Sequence, residues 1–182
     1  MLTRWSKVEI LIESEKVFLD LTAFCLTIPD PVFFRQPNEK WSIAQNVHHL
    51  ITSTKTSTAA YALPLFLVRL IGGKPNRPSR SYEESVSRYK EKLAAGAKAR
   101  GRYAPGQIKT SVGKERVLAN WSHTTGLYLQ AIKKNRTDQQ LDRYIVPHPI
   151  LGKITLRELC YFNIYHTIHH LDIIGMRSIT EN

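Results

Sequence analysis

Residues 155–176 are the stretch that most limits what this chain can become. Thr155 and Glu158 stand in the T-x-x-E relation of a helix capping box. From there a seam spaced alternately three and four residues apart passes through Leu156, Leu159, Asn163, His166, His170 and Ile173. That spacing turns one face of a helix toward a helical core. It also sends two imidazoles, one turn apart, into that core, which is unfavourable unless their ring nitrogens find partners. The competing register, through Phe162, Tyr165, His169 and Asp172, is more polar at its C-terminal end, so His169 is expected nearer the rim.

The rest of the chain reads in the same helical language. A first helix is expected over residues 3–27, with Trp5, Val8, Leu11, Ile12, Phe18, Leu19 and Leu26 at roughly helical spacing and Pro29 and Pro31 ending it. Ser42 and Gln45 form a capping pair that opens a second helix running to about Thr58. Pro64 breaks or kinks the helical stretch beyond it. The stretch from Gly72 to Arg80 carries paired glycines, two prolines and dense charge, so it is a loop. Ser81 and Glu84 cap a third helix to about Lys98, and a fourth runs from about Lys114 to Lys134. Gly101 to Gly113 and the segment through Pro147-His148-Pro149 read as loops. No stretch alternates with period two between hairpin turns, so almost no sheet is expected. Four or five helices joined by long loops make an all-α bundle, one domain over residues 1–182.

Composition narrows the class of function. Hydrophobic residues make up 42% and charged residues 23%, ordinary values for a folded globular chain. The longest apolar run, Thr56 to Ile71, contains Pro64 and Arg69 and falls short of the ~20 residues that span a bilayer. With no secretory leader pattern at the N-terminus, a cytoplasmic protein is expected. Cys25 and Cys160 lie within apolar helical patterns and read as buried free thiols. The net charge of +11 is uneven: residues 72–120 carry 12 basic and 4 acidic side chains. Lys74, Arg77, Arg80, Arg88, Lys90, Lys92, Lys98, Arg100 and Arg102 fall there. Such a segment is either a solvated basic surface or an attractor of anions.

Five of the seven histidines sit in two clusters, His48-His49 and His166-x-x-His169-His170. Two imidazoles at i, i+4 on one helix, joined by a third from another, make a three-nitrogen metal site with an open position. His166 and His170 supply the pair. On the second helix the apolar stripe passes through Ile43, Val47, Leu50, Ile51 and Thr54; neither histidine lies on it, and His48 is angularly the nearer. Periodicity therefore leaves the choice between His48 and His49 open.

The run Trp41-Ser42-Ile43-Ala44-Gln45-Asn46-Val47-His48-His49-Leu50, followed much later by Tyr165-His166-Thr167-Ile168-His169-His170, resembles the DinB-like (damage-inducible, YfiT-related) superfamily. The shared pattern is a Trp-Ser helix start, a histidine eight residues after that Trp and followed by Leu, and a C-terminal H-x-x-x-H. Position by position, His49 matches the first ligand of the family, and His166 and His170 match the other two. The resemblance implies an up-down-down-up four-helix bundle, a divalent ion on three histidines near one end, and commonly a homodimer. Similar proteins include S-transferases that use bacillithiol or mycothiol and a mycothiol-dependent isomerase. In one respect the chain departs: many relatives carry Gln three residues after the final histidine, where this sequence has Ile173.

All-histidine ligation suits a divalent transition metal, Zn or Ni first, with Fe, Co or Mn admissible. The expected chemistry is activation of a bound water or low-molecular-weight thiol. His148 and His169 are the leading candidates for catalytic duty, with His48, His123 and Tyr165 behind them. Trp41 and Trp121 read as core or rim aromatics. The competing readings are a non-catalytic metal-binding, stress-associated protein and, last, a nucleic-acid partner. No helix-turn-helix, zinc finger or aromatic-interleaved basic motif supports the last of these.

Overall fold

The computed structural model describes residues 4–38 and 40–180, with side chains to residue 175. Helices dominate, in the order α1 (Lys7–Thr27), α2 (Asp30–Phe34), α3 (Ile43–Ala62), α4 (Leu65–Gly72), α5 (Tyr82–Ala94), α6 (Lys114–Asn135), α7 (Asp138–Arg143) and α8 (Leu156–Thr180). A hairpin of β1 (Ile145–His148) and β2 (Gly152–Thr155) precedes α8. Among the long helices, α1 packs on α6 and α8, and α3 packs on the same two, so the four close a ring around the core. Trp121, Tyr61, Tyr128, Tyr161, Phe33 and Leu50 are almost wholly buried in that core.

Local chemistry sets where the helices start. Ser42 accepts the Gln45 N–H at 3.1 Å while the Gln45 side chain takes the Ser42 N–H at 2.8 Å. Ser81 with Glu84 makes the same reciprocal pair, as do Thr155 with Glu158 and Thr137 with Gln140. The first helix begins after Ser6, which caps it with Glu9, and not at residue 3; Thr3 itself lies outside the described residues. The third helix stops at Ala94, short of Lys98, where Ala95 caps it ahead of Gly96 at φ 86°. Pro64 does not merely break α3: it starts α4, whose first turn needs no N–H from it.

One expectation needs refining and another correcting. Of the apolar residues read at helical spacing in the first helix, Val8, Ile12, Leu19 and Leu26 face outward and are exposed. The helix carries apolar residues on two faces and buries Ile10, Ser14, Val17, Phe18, Leu21 and Cys25. The loop around Pro147 and Pro149 is a hairpin. Val146 pairs with Ile154 and His148 with Gly152, and each proline sits where no ladder N–H is required of it. Gly152, at φ 72°, makes the turn, and the His148 ring holds it by accepting the Ile150 and Leu151 N–H groups on Nδ1 at 3.3 and 3.1 Å.

The start of α8 ties the loops to the core. Glu158, 2% exposed, takes both forks of Arg77 at 2.5 and 2.8 Å and the Arg80 N–H at 2.7 Å. Arg157, also buried, holds Asp142 through Nε at 2.8 Å and further binds Asp138 and the Trp5 carbonyl. Burial alone would raise the Glu158 carboxyl, yet the hydrogen bonds from Arg77 and Arg80 hold it below the ordinary carboxylate value. A depressed folded value means the stabilisation is complete at neutral pH and fades as pH falls through the carboxylate range. Glu158→Gln is therefore expected to lose about 2–3 kcal/mol at pH 7, the partly solvated guanidiniums keeping the loss at the low end for a buried pair. Urea titrations of both proteins should show the gap narrowing toward acid pH; a gap independent of pH contradicts this account.

Gly72 ends α4 against the hairpin, where an added Cβ would stand 1.7 Å from the Ile145 carbonyl oxygen. Backbone cannot step aside as a flexible side chain would. Gly72→Ala should destabilise by about 2–4 kcal/mol or shift the hairpin, and thermal denaturation reads the loss directly.

Candidate metal centre

Three imidazoles meet between α3 and α8. His49 Nε2 lies 3.0 Å from His166 Nε2, and His170 Nε2 lies 3.2 Å from the same atom. All three ligand atoms fall within 4.8 Å of one another, and all three side chains are buried. Donors about 2.0–2.1 Å from one tetrahedral ion stand about 3.3 Å apart, close to the first two spacings.

The outer nitrogens decide which way the lone pairs point. His49 Nδ1–H donates to the Tyr103 carbonyl at 2.6 Å, and His170 Nδ1–H donates to Asn46 Oδ1 at 2.7 Å. Asn46 is itself oriented, its Nδ2 donating to the Ser42 carbonyl at 2.8 Å. With the proton fixed on Nδ1, Nε2 of both rings is an acceptor facing another ring's Nε2. Acceptors crowded together suit a shared cation, and this outer anchoring is how metal-bound histidines are held. Gln45 adds a brace, its Nε2 donating to the Pro105 and Gly106 carbonyls at 3.4 and 3.3 Å and so tethering the segment that carries Tyr103. The residues fit a divalent ion.

Electrostatics agree with neutral, ligating rings. Burial pushes His49 down despite the Tyr103 carbonyl, and burial with the neighbouring His170 and His49 holds His166 well below its ordinary value. The cysteines are no alternative ligands. Both are buried and free, and burial pushes Cys25 up to about 12 and Cys160 up to about 11.

The centre opens on a cleft of about 700 Å³, walled by α3, α5, the 97–103 segment, the hairpin and α8. Such a volume suits a small molecule. Trp41 borders it, stacked on His170 at 6.4 Å and 5.1 Å from His49, so it is a wall of the site as well as a rim aromatic. Trp121, by contrast, is core. His148 and His169 both line the cleft. Phe162 separates His148 from the ligands, its ring 4.3 Å from His148 and 4.7 Å from His166. Because His148 Nδ1 accepts two backbone N–H groups, its proton sits on Nε2, and burial pushes its value down to about 4. It is a neutral donor, not a base. His169 is half-buried beside Tyr89, lowered by burial and partly restored by Asp172.

The other candidates fall elsewhere. His48 is exposed on the outer face of α3, His123 is exposed on α6, and Tyr165 borders a separate small cavity. Ile173 is half-buried and outside the cleft lining. Sequence reasoning missed Asn46, whose place one turn before His49 was the available signal. It also missed the Tyr103 carbonyl, a backbone group that no side-chain pattern reveals.

The sequence profile of the DinB superfamily matches residues 15–174. The chain belongs to the DinB superfamily. No curated protein and no solved structure matches it. Within this DinB protein the ligand set expected from the motifs, His49, His166 and His170, is the set that the fold brings together.

Removing the three rings together, as His49→Ala, His166→Ala and His170→Ala, should abolish bound metal in elemental analysis; unchanged content would rule the centre out. Asn46→Ala should keep the ligands but weaken metal affinity about 10–100-fold in a chelator competition, as loss of an outer hydrogen bond to a ligand does.

Proposed function

We propose that this DinB protein is a metal-dependent enzyme of the S-transferase kind, joining a low-molecular-weight thiol to an electrophile. The observation that carries the reading is the set of converging, outer-anchored imidazoles opening on a cleft of small-molecule size. A divalent ion on His49, His166 and His170, with Zn or Ni the first choices, supplies a lowered pKa for a thiol or water at neutral pH. Three neutral imidazoles would leave the dipositive charge of such an ion uncancelled, which would favour a thiolate.

The chain's own groups do the rest. Lys98 and Arg100 border the cleft from its exposed side and suit the carboxylates of such a thiol. His169, which lines the cleft and is lowered by burial, takes the thiol proton toward solvent. The sulfur then gives its electron pair to the electrophilic carbon, and the leaving group departs with the pair of the bond that breaks. His148 offers its fixed Nε2–H to negative charge developing on the electrophile or the leaving group. Trp41, Phe162 and Tyr89 surround this chemistry with apolar surface that excludes water. The same reading pairs two copies of the chain through the exposed row Val8, Ile12, Leu19 and Leu26; a monomer by light scattering removes that part.

A thiol-consumption screen with metal-loaded protein and several electrophiles tests the activity. Consumption should require His166, since His166→Ala should show none. Lys98→Gln with Arg100→Gln should raise KM for carboxylate-bearing thiols about tenfold with little change in kcat. His148→Phe should lower kcat by about 100–1000-fold, the range for a donor to developing charge. Metal binding with no thiol consumed under any pairing would leave the non-catalytic metal-binding reading in its place.

A further inference from the structure

The basic segment of residues 72–120 is not one surface. Lys98 and Arg100 border the metal cleft, whereas Lys74, Arg77, Arg80 and Arg88 gather on the other side of the hairpin. There, with Lys153 of β2, they line a second cavity of about 470 Å³ that is completed by Asn76, Ile145, Leu151 and Gly152. Five cations line it and no carboxylate does.

Part of that charge has a structural partner. Glu158, behind the cavity, accepts both forks of Arg77 and lies 3.5 Å from Arg80 Nη1, fixing these two guanidiniums in place. Glu84 stands near them, but its carboxylate takes the Ser81 N–H at 2.7 Å at the start of α5. One buried carboxylate cannot cancel five cations, and Arg77 and Arg88 each work against the charge on Arg80. Arg88 reaches only the Leu151 carbonyl, at 3.5 Å, and its Nε is buried without a hydrogen-bond partner among the described residues. A buried guanidinium N–H with no acceptor is unfavourable unless a ligand supplies one. Lys153 folds its ammonium back over the Gly73 turn, 3.7 Å from where a Cβ on Gly73 would stand.

We propose that this cavity binds the phosphoryl group of a small molecule, at a site separate from the metal centre. Arg88, with an unclaimed guanidinium N–H, and the flexible ammonium groups of Lys74 and Lys153 supply donors to phosphate oxygens, while Arg77 and Arg80, held by Glu158, add fixed positive charge beside them. The excess of positive charge suits a dianion or diphosphate better than a single carboxylate. Cations gathered in a cavity, and divided by the hairpin from Lys98 and Arg100, suit a small anion better than a nucleic-acid backbone, which needs a continuous track. The hairpin is a shared wall: Ile145, Leu151 and Lys153 border this cavity, and Val146, His148 and Ile150 border the cleft. A phosphoryl group here therefore braces the strand that carries His148. The proposal does not depend on the metal reading.

Calorimetric titration of the metal-loaded full chain tests it, with inorganic phosphate, pyrophosphate, glycerol phosphate and a nucleoside diphosphate as probes and citrate as the carboxylate control. At least one phosphorylated probe should bind, more weakly as salt is added. Arg88→Gln should weaken binding at least tenfold. So should Lys74→Gln combined with Lys153→Gln, whose side chains are exposed and not part of the Glu158 network. His166→Ala and the Lys98→Gln, Arg100→Gln pair should bind as the parent does. The bound probe should also slow hydrogen exchange across residues 145–155. Stronger binding of inorganic phosphate than of its esters makes the free ion the ligand; the reverse makes it a phosphorylated metabolite. Three results overturn the proposal: no phosphorylated probe binding at millimolar concentration, citrate binding equally well, or binding lost with His166 and kept without Lys74 and Lys153.

Discussion

The buried polar side chains of α8 govern the rest of this structure. Arg157, Glu158, Asn163, His166, Thr167 and His170 are all buried on one helix, and each must be answered where it stands. Arg157 is answered by α7 and the Trp5 carbonyl, and Glu158 by the 77–80 loop. Asn163 donates to Ser57 at 3.0 Å and His170 to Asn46 at 2.7 Å, both on α3. Thr167 is answered within α8 by the Asn163 carbonyl, but a slip of the helix by one residue would break the bonds that Arg157, Glu158, Asn163 and His170 make to other elements. The register of α8 on α3 is thereby fixed, and with it the meeting of His49 with His166 and His170. A preformed ligand triangle here is a consequence of satisfying the helix that carries two of its corners.

That dependence explains what was legible in the sequence. Three capping boxes could be read because a cap is a local bargain between residues three apart, indifferent to the distant fold. The inward seam of α8 could be read because Leu156, Leu159 and Ile173 frame its polar members. His49 could not be chosen by periodicity, since the face that α3 turns to α8 is the polar row Gln45, His49, Ser53 and Ser57, all buried. Hydrophobicity marks only half of a helix buried on two sides. The resemblance pointed to His49, the ring that the fold brings beside His166 and His170, because a motif marks a position whatever its hydropathy. On α1 the spacing of apolar residues marked the helix but not which of its two apolar faces the core covers.

The hairpin escaped notice because its determinants are tertiary. Two prolines flanking His148 argue for a loop, and no alternation announces a strand. What makes it a strand pair is Gly72 packed on the Ile145 carbonyl from one side and the His148 ring holding the turn from the other. Once formed, it divides the basic middle of the chain into two sets of cations with different neighbours. Net charge summed along a sequence could not have shown that division.

A buried histidine pair is ambiguous until the outer nitrogens are known. Core imidazoles that merely satisfy each other alternate donor and acceptor around the cluster, so each lone pair meets a proton. In this protein both available outer acceptors, the Tyr103 carbonyl and Asn46 Oδ1, draw the proton of His49 and His170 away from the centre. His166 Nε2 can offer one proton to one of those two rings, never to both. Inward-facing acceptors thus outnumber the one proton that His166 Nε2 can share, and burial together with the neighbouring rings opposes adding a second proton to His166. The arrangement becomes self-consistent when a single cation accepts all three lone pairs, and for that reason Asn46 and the Tyr103 segment belong to the centre as fully as the histidines they hold.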